Sequence, residues 1–70
     1  MSRRVIEFRT YCIGNVAEAL KMNQADVYRL LKSSGILRDY IVDAFEVTHT
    51  LGQQYITEDI IHMMRQRGVL

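Results

Sequence analysis

Proline is absent from the whole chain, and cysteine occurs once. Without proline, no helix is broken from within by a ring that clashes with the preceding turn and removes a donor. The single thiol, Cys12, closes no intrachain disulfide, and no Cys/His cluster has the spacing of a zinc site. No apolar run approaches the roughly 20 residues needed to span a bilayer. Met1-Ser2-Arg3-Arg4 begins like the basic head of a signal peptide, but Glu7 and Arg9 interrupt any apolar core behind it. A cytoplasmic protein without a membrane segment is the expectation, and an unpaired thiol suits a reducing compartment. No glycine-rich phosphate loop is present, and no serine or cysteine has a histidine placed within its own motif. Enzymatic activity, a cofactor and a small-molecule substrate are therefore not expected.

What is there is largely apolar, at 49% of 70 residues. A chain of this size forms one domain, residues 1–70, and buries only about 60% of the surface its unfolded form exposes. Small proteins usually compensate with disulfides, a metal or a partner. With the first two lacking, association with another protein or with a second copy as a homodimer is expected. Net charge is only +1, but residues 1–38 carry seven basic groups against three acids, and residues 39–70 two against five. Such asymmetry can steer a basic face toward phosphate, or pair one half with the other between copies.

Apolar periodicity predicts an all-α, four-helix domain. The first helix is expected over about Arg3–Leu20, where Val5, Phe8, Cys12, Val16 and Leu20 recur at steps of three and four. Gly14 inside it costs about 1 kcal/mol relative to alanine, and close approach of another helix would account for it. The second helix is expected over Gln24–Ser33, with Asn23 as N-cap and Gly35 as a left-handed stop. The third is expected over Asp39–Thr50, with Gly52 ending it and residues 53–56 as an irregular link. The fourth then opens with Thr57 as N-cap and Glu58 and Asp59 in its first turn. The expected core comprises Phe8, Ile13, Val16, Leu20, Val27, Leu31, Ile41, Phe45, Ile60 and Met64.

The first two helices, joined by a tight turn at residues 21–23, have the spacing of a helix-turn-helix. In a DNA-binding regulator its second helix would present Gln24, Tyr28, Arg29 and Lys32, glutamine and arginine to base edges, tyrosine and lysine to phosphate. Lys21 stands in the turn where this motif usually carries glycine. Glu46-x-x-His49 and Asp59-x-x-His62 each place an acid and a histidine one turn apart, as in carboxylate bundles that hold two metals. Helices this short enclose such a site poorly, so no metal is expected. His49 is instead placed to bond the last carbonyls of the third helix. Surplus apolar surface points to partner contact through Tyr40, His49, Leu51, Tyr55 and Met63, aromatic and methionine side chains being favoured at such contacts.

Three stretches resemble a family of short bacterial proteins: Phe8…Tyr11-Cys12-Ile13…Val16-Ala17, the helix Val27–Leu31, and Phe45–Ile60 with its His49-Thr50-x-Gly52-x-x-Tyr55-Ile56-x-x-Asp59-Ile60 string. The resemblance implies a setting similar to that of small toxin–antitoxin components, sometimes beside genes for ADP-ribosyltransferase-like proteins. It assigns no catalytic residues. It implies an interaction or regulatory module, antitoxin-like in role.

Overall fold

The structure, a computed structural model, describes residues 1–70 and contains helices and no strands. The first helix, α1, is Arg3–Leu20. Ser2 caps it, its hydroxyl accepting from the Val5 N–H at 3.2 Å. The other end is closed by Lys21 in the left-handed region, φ 56°. Its N–H bonds the Glu18 carbonyl and the Met22 N–H bonds the Ala17 carbonyl, the paired bonds of a Schellman stop. Asn23 then caps α2, Gln24–Ser33, by accepting from the Ala25 N–H at 2.7 Å. Gly35, φ 85°, turns the chain out of α2 as expected.

Between residues 36 and 52 the chain departs from the sequence expectation. Instead of one helix over 39–50, a π-helical segment runs over Leu37–Val42, and a single turn, α3, over Phe45–Thr48. Ala44, at φ −96° and ψ 16°, separates them. The Asp43 N–H bonds the Arg38 carbonyl five residues back, and Leu37, Ile41 and Phe45 all face the core. Val47, within the span expected as one helix, is 68% exposed. Nor does Gly52 end α3. The Thr48 and Thr50 hydroxyls do so by bonding back to the Ala44 and Val47 carbonyls at 3.1 and 2.8 Å.

Gly52 is extended, φ −66° and ψ 152°, and is the N-cap of α4, Gln53–Gln66. The expected link 53–56 is thus the first turn of α4, and Ile56 within it is buried. Thr57 is no cap, because its hydroxyl donates to the Gln53 carbonyl at 2.8 Å from inside the helix. Gly68, φ 73°, closes α4 with a second Schellman pair, in which Val69 bonds Met64 and Gly68 bonds Arg65.

Helix α1 is the centre of the fold, in contact with α2, the π-helical segment and α4. Its Phe8, Cys12, Ile13, Val16 and Ala17 meet Val27 and Leu31 of α2, Ile41 of the π segment, and Ile56, Ile60 and Met64 of α4. Nine of the ten expected core residues are buried. Leu20, in the last turn of α1 at the edge of this cluster, is only partly covered. No helix is long and apolar enough to cross a membrane.

Candidate interaction surface

Arg4, Glu7, Phe8 and Tyr11 lie one turn apart along α1, and across from them stand Phe45, His49 and Leu51. Together they line an open groove of about 440 Å³. Phe8 and Phe45 form its floor, edge to face with centroids 5.4 Å apart. Tyr11 extends the floor outward beside Phe8 at 6.1 Å and is 42% exposed. The His49 ring lies flat on Phe45, with centroids 4.3 Å apart and 14° between planes.

Two contacts fix the histidine. Its Nδ1 is 2.6 Å from the Phe45 carbonyl, which can only accept, so Nδ1 carries the proton. Its Nε2 then offers a lone pair to the Arg4 guanidinium at 3.4 Å. The expectation that His49 bonds a carbonyl at the end of its helix is met. Arg4 also lies over the Phe45 ring, 5.4 Å from the centroid. Glu7 is paired with Arg3 at 3.0 Å, and Arg4 makes no ion pair with any carboxylate. The groove therefore offers an apolar, aromatic floor and one cation with donors to spare.

Over residues 7–67 the chain matches a family described as "Protein of unknown function (DUF3791)". The chain belongs to this family. The matched span contains every groove residue except Arg4. No curated protein and no solved structure matches the chain.

Of the five residues expected to meet a partner, His49 and Leu51 lie in this groove. Tyr55, 60% exposed, stands on α4 with Asp59 and His62. Tyr40 is half-buried and its hydroxyl is enclosed without a hydrogen-bond partner. Burial, and then the nearby Asp59 carboxylate, hold that phenol well above its usual pKa. Met63 packs against the core. Sequence reading missed Arg4 and Tyr11 as surface groups and took Phe8 and Phe45 as core alone. The signal was the i, i+3, i+4, i+7 series from Arg4 to Tyr11, which marks one helix face.

Of the four residues of the alternative DNA-reading helix, Gln24, Tyr28 and Lys32 follow one another a turn apart along one face of α2. Gln24 leaves its amide over Gly14, where an added Cβ would meet Nε2 at 3.8 Å. Arg29 is ion-paired with Asp26 and stands about 140° around the helix from Gln24. Tyr28 and Lys32 share a second groove beside the π-helical segment. The two acid-x-x-His pairs do not converge, and no three His, Cys, Asp or Glu side chains lie where they could hold one metal ion.

Proposed function

We propose that the chain is a protein-interaction module of the cytoplasm, antitoxin-like in role, that grips its partner through the groove between α1 and α3. The observation that carries this reading is the exposed Tyr11 on the rim of the Phe8–Phe45–His49 stack, beside an Arg4 with no carboxylate of its own. Buried aromatic anchors and arginine are the side chains that dominate binding energy at protein contacts. The partner that fits is an amphipathic segment with an apolar side chain for the aromatic floor and an Asp or Glu for Arg4. The resemblance noted in the sequence makes an ADP-ribosyltransferase-like toxin the first partner to test. The module would act by covering the toxin's surface, without catalysis of its own.

The test is copurification of the tagged chain with the products of neighbouring reading frames in its host. A specific complex is expected, weakened about tenfold or more by Tyr11→Ala and left intact by Arg29→Ala. If the partner is a second copy, sedimentation will show a concentration-dependent dimer that Tyr11→Ala dissolves. Wild-type binding by both Tyr11→Ala and His49→Ala would remove the groove from consideration.

The alternative, a helix-turn-helix regulator, is favoured by the three-residue connection between α1 and α2. It requires a gel shift on the protein's own upstream DNA that weakens steeply with salt, because each neutralised phosphate releases counterions. Its α2 carries one acid among its charges, and that acid already holds Arg29, which favours the interaction reading.

A further inference from the structure

The largest concavity of the molecule, about 700 Å³, lies apart from the aromatic groove. Its walls are Tyr28 and Lys32 at the end of α2, Leu37, Arg38 and Val42 of the π-helical segment, and Arg9 of α1. Arg9 is half-buried, yet it makes neither an ion pair nor a side-chain hydrogen bond within the protein, and Lys32 has no carboxylate partner. The single acid of the wall, Asp39, is already shared between Arg38 at 3.4 Å and Arg67 at 3.8 Å. The cavity therefore carries surplus positive charge with donors facing solvent.

One wall is apolar, and the π winding helps to make it so. Bonds five residues apart bring Leu37 and Val42 to the same cavity, whereas α winding would set them about 140° apart. The Tyr28 ring completes that strip, and the Lys32 ammonium lies 5.9 Å from its centroid. The volume falls among small-molecule sites, which run from about 300 to 1,000 Å³, and exceeds what a bare phosphate would fill. An aromatic platform and a cation cluster side by side match a planar base joined to a phosphate.

We infer that this groove binds a nucleotide, its phosphate on Arg9, Lys32 and Arg38 and its base against Tyr28 and Leu37. A free nucleotide and one unit of a single strand offer the same chemistry. The site shares no residue with the aromatic groove, so the two readings stand or fall separately.

The experiment is a ¹⁵N–¹H NMR titration of the full chain with AMP, adenosine, inorganic phosphate and oligoadenylate. AMP is expected to saturate at about 1 mM or below with shifts confined to residues 28–42 and Arg9, and adenosine and phosphate to bind about tenfold more weakly. Lys32→Gln should weaken AMP about tenfold while keeping a dispersed spectrum. Tyr28→Leu should weaken AMP and leave phosphate unchanged. Arg65→Gln and Tyr11→Ala should alter neither. Oligoadenylate binding that exceeds AMP and falls with salt would assign the strand as the source, and equal binding the free nucleotide. The inference is overturned if AMP gives no saturable shifts, if phosphate alone binds as tightly, or if a folded Lys32→Gln binds AMP like the wild type.

Discussion

Cys12 illustrates what burial does to one titratable group. Its side chain is almost wholly enclosed at the α1 crossing, and desolvation pushes the thiol up to about 12. The thiolate is the nucleophile, so the folded protein should resist iodoacetamide at pH 8 and be alkylated promptly once urea unfolds it. The same shift carries a stability consequence. An unfolded thiol releases its proton from about pH 8.5, while the folded one holds it, so rising pH favours the unfolded state. Stability is complete below that pH and falls as it rises toward about 12, with Tyr40 adding in the same direction at higher pH. Urea midpoints at pH 7 and pH 10 check the sign, and Cys12→Ala should flatten part of the difference. An unchanged midpoint would place the thiol in contact with water. At this scale the sequence was informative where chemistry is local: His49 could be assigned to a helix-end carbonyl because a histidine at that position has few other partners. Arg4, which completes that contact from 45 residues away, left no local trace.

Two residues of the α1–α2 unit are each the wrong type for their backbone. Gly14 sits in the interior of α1, where glycine costs about 1 kcal/mol relative to alanine. No backbone crowds it, and an added Cβ would make only ordinary contact with the Gln24 amide. Lys21 occupies a left-handed position that costs an L-residue about 1–2 kcal/mol and a glycine nothing comparable. Gly14→Ala and Lys21→Gly should therefore each stabilise the domain by about 0.5–1 kcal/mol, or about 4 °C in Tm for a chain of this length. Calorimetry of the two variants decides it, and a lowered Tm for Gly14→Ala would mean that α2 packs closer than the structure shows. Helices α1 and α2 were legible because period, caps and stops agree over long runs. The region from 36 to 52 was not, for two physical reasons. A π turn places Ile41 and Phe45 on the core face just as an α-helix would, so the apolar pattern does not distinguish them. The stop is made by threonine hydroxyls, while the nearby glycine, the usual terminator, serves as the next N-cap.

For the molecule as a whole, one side chain ties the C-terminal turn to the middle of the chain. Arg67, just beyond α4, donates to the Ser34 carbonyl at 2.8 Å and approaches Asp39 at 3.8 Å, tying the C-terminal turn to the connection after α2. Arg67→Ala should cost about 1 kcal/mol, read as a lower urea midpoint and faster hydrogen exchange at Met64 to Gly68. Exchange as slow as in the wild type would show that the Schellman turn alone secures that end. The two grooves belong to this scale as well. Each combines α1 with residues at least 19 positions farther along the chain, Arg9 with Tyr28 in one case and Phe8 with Phe45 in the other. Sequence reading could list the side chains but had no means of assembling them.

The central place of α1 also bears on how the protein is made. It is synthesised before the side chains that complete the cover of its apolar face, Ile56, Ile60 and Met64 of α4. Domains tend to fold as units once their parts are present. A nascent chain that has reached only α2 or the π-helical segment therefore displays Phe8, Ile13 and Val16 without a complete cover. Until α4 arrives, that face is open to chaperones and proteases, so ribosome stalling between residues 50 and 56 should leave a degradable product where a chain that includes α4 survives.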